Sequence, residues 1–352
     1  MQTLSFGEDL PPVPVYPMWV DTYGNDIVES HAKHFGADIV VTLMDVWVLR
    51  EYGKKNMRWI PYMPIDQEPV PEAIKKALQG AFRVVSYADY GKRLLDAEGI
   101  DNVCIPHGVD IDIFKPRDKR AAKKRLNLDP DAFVIGMVAA NKGQPSRKAF
   151  PEQLSAVAKF KQRHGNVKLY LHTLEGQAHG GIDLDALLLD LGFKPDEVTF
   201  VNQYQYALGL SDDYMANAYN AMDVYLGASM SEGFGIPIIE AQACGVPVIT
   251  TNATAMPELT FSGISVEPAQ RFWTGLNAWI AIPSVDGIVE ALEWAWQHAG
   301  DADVAQMARA GALDYDWDLI VREKWIPFLQ EMSGAIAAAP ALKADAPLVE
   351  AR

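Results

Sequence analysis

Short apolar runs alternate along this chain with segments whose apolar residues recur at helical spacing. That rhythm predicts βα units and a mainly parallel sheet. Early strands are expected at 37–44 (ADIVVTLM), 57–62 (MRWIPY), 82–87 (FRVVSY) and 102–107 (NVCIPH). Between them a helix is expected at 71–80, with Pro71 near its start and Gly80 past its end. From 108 the chain reads as a connector, and a second strand series opens at 132–140 (AFVIGMVAA). It continues with a helix at 151–164, strands at 167–174 and 197–204, a helix around 212–222, and strands at 222–229 and 246–251. Long helical patterns at 286–299 and 316–332 follow, and no repeat at a solenoid or propeller period is present.

The reading is α/β with two domains: 1–115, a connector at 116–131, 132–315, a C-terminal helix at 316–332 crossing back to the first domain, and a disordered tail at 333–352 rich in Ala and Pro. A length of 352 residues suits two cores better than one. The net charge of -15 argues against nucleic acid, whose binders need clustered Lys and Arg. It also disfavours broad adhesion to anionic membranes. Lys115 to Arg125 holds seven basic residues, which read as a solvated connector helix. Cys104 and Cys244 lie in apolar surroundings and read as buried thiols rather than a disulfide or metal site. No stretch nears the roughly 20 apolar residues of a membrane span, and MQTLSFGEDLPPVP lacks the pattern of a signal peptide. A cytoplasmic protein is expected.

The stretch SEGFGIPIIEAQACGVPVITT, residues 231–251, carries the chemistry. Pro237 suits a first helical turn and Gly245 a helix end, giving a short helix at 237–244 whose N-terminus faces the loop EGFG. Free N–H groups and the positive dipole end there favour an anion such as phosphate, and Gly233 and Gly235 let a ligand approach the backbone. Glu240 is expected in the first turn, where its carboxylate can accept hydrogen bonds from sugar hydroxyls. The string closely resembles the E-x7-E donor motif of GT-B glycosyltransferases of the GT4 type. The resemblance implies two Rossmann-like domains facing a cleft. It places Glu232 by the transferred sugar and the reacting centre, and Gly233, Phe234, Gly235 and Ile236 at the sugar and diphosphate. Glu240 would hold the ribose of the nucleotide.

In that family a basic pair follows the first strand of the second domain and meets the diphosphate. Here AANKGQPSRKAFPEQ, residues 139–153, offers Lys148 first, then Arg147 and Lys142, with AAN in place of the usual G-R. FVNQYQY, 200–206, matches the region that reads the base. IPHGVDIDIFKP, 105–116, resembles the hinge-side segment, with His107 as a phosphate-contact candidate. Asp45 ends the strand IVVTLMDVW and is carried over as a residue near the transferred sugar. Tyr23, Gly24 and Asn25 read as a simple turn near the cleft. Several D-x-D strings are expected by chance among 46 acidic residues, and no metal is assigned.

The family's opening strand, glycine-rich loop and helix have no counterpart here, so a shortened sheet with self-association is expected. The implied function is a retaining, metal-independent glycosyltransferase. It would move a sugar from a UDP- or GDP-linked donor, with no other cofactor, to a saccharide or other hydroxyl acceptor. The rival is a nucleotide-sugar binding protein with little or no transfer activity. A nicotinamide-dependent dehydrogenase would need G-x-G-x-x-G, and GFGIP lacks its third glycine.

Overall fold

The computed structural model describes residues 2–5, 11–339 and 342. A small antiparallel ribbon comes first, β1 (Gln2–Leu4) with β2 (Val13–Val15). The first domain is then built on four parallel strands in sequence order: β3 (Val40–Leu43), β4 (Trp59–Met63), β5 (Val84–Ser86) and β6 (Asn102–Cys104). The second domain holds six parallel strands: β7 (Phe133–Val138), β8 (Val167–His172), β9 (Val198–Phe200), β10 (Val224–Gly227), β11 (Val248–Thr251) and β12 (Gly263–Val266). Their order is β12-β11-β10-β7-β8-β9, a doubly wound sheet that reverses direction between β7 and β10. Ligands of such sheets bind outside the carboxyl ends of the strands, near that reversal.

The inner strands of both sheets are covered on two faces, so they are largely apolar and period 2 sorts their side chains into different cores. Edge strand β3 leaves Val41 and Leu43 exposed. Phe133, Ile135 and Met137 of β7 pack with Phe150, Leu154, Ile288 and Leu292, while Val134 faces the opposite core with Tyr219, Ile238 and Ile239. In the first domain, Trp59 and Met63 of β4 join a local core with Ile74 and Leu95. Ile60 and Tyr62, one step out of phase, belong to a core that runs on into the second domain. The two domains thus share one apolar interior beside the hinge.

The last helical segment braces that interior. It runs Trp317–Ile320, opens into one wide π-type turn at Val321–Trp325, and continues as Ile326–Ala338. Pro327 lacks the N–H a regular turn needs, which accounts for the wide turn before it. Trp325 packs edge-on against Tyr62 with ring centres 5.0 Å apart, and Phe328 and Met332 are buried in the shared core. The tail expected from 333 therefore starts too early: 333–338 are helical. Alanine is the best helix former, so a run such as AIAA extends a helix already nucleated by packing. Residues 340, 341 and 343–352 lie outside the described residues.

Other departures are local. The strand expected at 197–204 stops at Phe200, because the Asn202 side chain accepts from Gln205 N–H and caps the helix Gln203–Leu208. The pattern also gave no sign of the antiparallel ribbon of β13 (Pro268–Trp273) and β14 (Trp279–Pro283) that follows β12. That ribbon reaches across to the first domain. Glu68 and Trp279 exchange backbone hydrogen bonds at 3.3 and 2.7 Å, and Thr274 Oγ1 donates to Gln67 Oε1 at 2.7 Å. No helix among the described residues is long and apolar enough to cross a membrane.

Candidate active site

Two loops at the carboxyl ends of β7 and β10 meet at the sheet's reversal. The backbone fastens them together: Met230 N–H donates to the Arg147 carbonyl at 2.8 Å. The first loop ends at Ala149, whose φ of 49° is unusual for a residue with a side chain; it is buried and caps the helix Phe150–Lys161. Such strain persists where surrounding contacts enforce it. Asn141 holds the loop's other end. Its amide donates to the carbonyls of Leu174, Gly176 and Ile182 and accepts from Ile182 N–H. The AAN that stands in place of the usual G-R thus supplies a structural pin in Asn141.

This frame presents Arg147 and Lys148 to Glu232. Lys148 Nζ lies 2.5 Å from Glu232 Oε1 and Arg147 lies 3.3 Å from Oε2, while Arg147 also donates to the Ser231 carbonyl. Only 12% of the Glu232 side chain is exposed. Burial opposes its charge, but the attraction of Lys148 and Arg147 wins and holds its carboxyl at about 2. Its backbone N–H donates to Thr254 Oγ1 at 3.0 Å, so the carboxylate is fixed from behind.

The helix begins at Ile236, one residue before the expected start, with Gly235 as its N-cap at φ 108°. A side chain at Gly235 would be strained there and would crowd Ile238. Glu240 is the fifth helical residue, so it stands in the second turn rather than the first. Tyr219 O–H donates to its Oε2 at 2.6 Å. Burial pushes the Glu240 carboxyl up against that hydrogen bond.

Facing this wall is the first domain, and the space between is a cavity of about 420 Å³. Asp45, Arg147, Glu232, Gly233, Ile236 and His107 all line it. Phe234 also borders it, but its ring is buried between His107 and Tyr315, so it braces the interface. Lys142 is exposed and acts on Asp45 through charge alone. Asp66 also joins the cavity, with Oδ2 3.8 Å from Arg147. Sequence reasoning missed it, because a lone acid in PIDQEP carries no motif. Burial, with Asp45 and Glu232 nearby, pushes the Asp66 carboxyl up against the pull of Arg147. Burial likewise raises the carboxyl of Asp45 against Arg147 and Lys142.

His107 sits at the hinge. Its ring is 4.2 Å from that of Tyr87, and Nδ1 is 3.1 Å from Tyr62 Oη. Burial pulls its pKa down to about 4, so it is uncharged at neutral pH. Between about 4 and the usual 6.5 the unfolded chain binds the proton and the folded one does not, so stability falls as pH falls through that window. Replacing His107 with glutamine is expected to remove on the order of 1 kcal/mol per pH unit from that slope. Thermal unfolding of both proteins at pH 4.5, 5.5 and 7 checks this.

Tyr23, Gly24 and Asn25 stay out of the cavity. They form a turn beside a separate surface pocket of about 600 Å³, where Asn25 bonds Asp21 and the Val48 carbonyl. Among the described residues no group of His, Cys, Asp and Glu is arranged to hold a metal ion.

Residues 132–296, which supply one wall of the cavity, match the family model described as "Glycosyl transferases group 1". The match covers the second domain and stops short of the first. A D-inositol 3-phosphate glycosyltransferase of Stackebrandtia nassauensis is 35% identical over 144 residues, 40% of this chain and 30% of that protein. The chain's matches span only about a third of the first such relatives, 30% to 36% of their length. Sucrose-phosphate synthase from Thermosynechococcus elongatus has the same GT-B fold, with a TM-score of 0.68 at 19% identity over 90% of this chain and 78% of that one. So has Anabaena HepE in complex with UDP-glucose, with a TM-score of 0.64 at 16% identity over 93% and 86%. The matched domain places its loops and helix N-terminus against the first domain, across the cavity just described.

Proposed function

We propose that this protein is a retaining glycosyltransferase that uses a nucleoside-diphosphate sugar and needs no bound metal. The observation that carries the reading is the pairing of Glu232 with Lys148 and Arg147 at the N-terminus of the helix Ile236–Ala243, facing the first domain across the cleft. A diphosphate would draw Lys148 and Arg147 toward itself and meet the free N–H groups of the helix start. Glu232, thereby released, would accept hydrogen bonds from hydroxyls of the transferred sugar. Glu240, one turn further on, would hold the ribose.

In the reaction the bond between the anomeric carbon and the diphosphate oxygen breaks, and negative charge grows on the leaving group. Lys148, Arg147 and the helix dipole stabilise it where it develops. The acceptor oxygen bonds to the same face of the anomeric carbon, and its proton passes to a departing phosphate oxygen. No protein base is required. The neighbour bound to UDP-glucose supports the donor class.

Product analysis by proton NMR tests the stereochemistry. From an α-linked donor the new linkage is expected to be α. A β product would overturn the retaining mechanism.

A further inference from the structure

The wall opposite Glu232 carries Trp47, Asp45 and Asp66. Trp47 stands on the turn after β3, lines the cavity and keeps 50% of its surface exposed. Its indole N–H lies near the Asp45 carboxylate and favours that group's charged form. Asp66, from the turn after β4, is 20% exposed and looks across to Arg147. The segment bearing Asp66 is held from outside by the β13–β14 ribbon through Gln67 and Glu68, and Leu276 at the ribbon's tip closes the cavity.

The chemistry of this wall is selective. Among the described residues that the first domain contributes to the cavity, none is basic, and His107 is uncharged at neutral pH. Arg147 is occupied by Glu232 and Ser231 and, on the donor reading, by the diphosphate. A phosphorylated acceptor would enter beside two carboxylates, with the exposed Lys142 near Asp45 as the cation not already engaged, so like charges disfavour it. An exposed indole offers a flat apolar face, and fixed carboxylates accept well from paired hydroxyls. Pyranose rings present both surfaces: a face of C–H groups and a rim of hydroxyls.

We propose that the acceptor is an uncharged saccharide whose C–H face stacks on Trp47 and whose hydroxyls donate to Asp45 and Asp66. Calling this ligand the acceptor rests on the glycosyltransferase reading. The named relatives act on an inositol phosphate, a charged acceptor unlike the one proposed here.

Saturation-transfer NMR tests it, with glucose and maltose as neutral probes and glucose 6-phosphate and fructose 6-phosphate as charged ones, each with and without UDP or GDP. The wild type is expected to transfer saturation to ring protons of a neutral probe and not to the phosphates. Trp47→Ala should weaken that binding roughly tenfold while Trp47→Phe retains it, and melting temperatures confirm that both variants fold. Asp66→Asn should also weaken it. Equal or tighter binding of the phosphates, neutral binding indifferent to Trp47→Ala, or no sugar binding at all would each overturn the proposal. Thermal shifts with nucleoside-diphosphate sugars on the same samples keep the two readings apart. Donor binding without sugar binding removes only the acceptor assignment, whereas loss of both removes the glycosyltransferase reading as well.

Discussion

Replacing Gly233 with alanine is expected to cut transfer activity by about a hundredfold, the loss that a misplacement near 1 Å produces. A Cβ built at Gly233 falls 2.2 Å from Pro64 Cβ, a side chain of the opposite domain. The Gly233 side cannot yield easily. Its loop is tied to Arg147 and to Ala281 through Met230, and to Thr254 and Ala255 through Glu232. The first domain must therefore move, carrying Asp45 and Asp66 away from Arg147. Overpacking of this kind costs about 1–3 kcal/mol, so melting should fall by a few degrees. Steady-state kinetics and thermal unfolding check both effects. Combining Pro64→Gly with Gly233→Ala should recover much of the loss, because the two residues act through one contact. Wild-type kinetics in Gly233→Ala alone would mean that the domains do not meet there.

The second large effect is expected at Lys148. Changing it to alanine should lower transfer by about 10² to 10³, the range for losing one preorganised charge partner of a leaving group. It should also leave Glu232 with Arg147 alone. The Glu232 carboxyl, held at about 2 in the wild type, should move up. A folded-state pKa below the usual 4.5 contributes stability that is complete above 4.5 and lost as pH falls through about 2. The melting temperatures of wild type and Lys148→Ala should thus differ most near neutral pH and converge as pH falls below 4.5. Lys148→Arg should restore the pH dependence more fully than the rate. A gap that widens toward acid would contradict the ion-pair account.

Most of the sheet scaffold could be read from the chain because buried parallel strands leave a dense apolar signature, as in FVIGMV. The ribbon at 268–283 could not: PAQRFW is largely solvent-facing, and what orders it is contact with Gln67 and Glu68 some two hundred residues earlier. The start of the C-terminal tail was misjudged because composition alone does not tell an Ala-rich coil from the last turns of a packed helix. At the site, Glu232, Lys148 and Arg147 were named through the family resemblance, and the structure brings them within ion-pairing distance. Glu240 was placed one residue too near the helix start, because Pro237 was taken as the first helical residue although Gly235 caps the helix ahead of it. Asp66 was invisible, since its importance arises only when the second domain sets Arg147 opposite it. Gly233 was read as access for a ligand, and the structure adds a second demand, the approach of Pro64.

The measurement that bears most directly on the central claim is donor binding. Wild type and Glu240→Ala would be titrated with UDP-, GDP- and ADP-sugars while following thermal stability. Stabilisation by one nucleotide class, weakened about tenfold or more by Glu240→Ala through loss of a hydrogen-bonded carboxylate, is the result this account predicts. No stabilisation by any nucleoside-diphosphate sugar would contradict it.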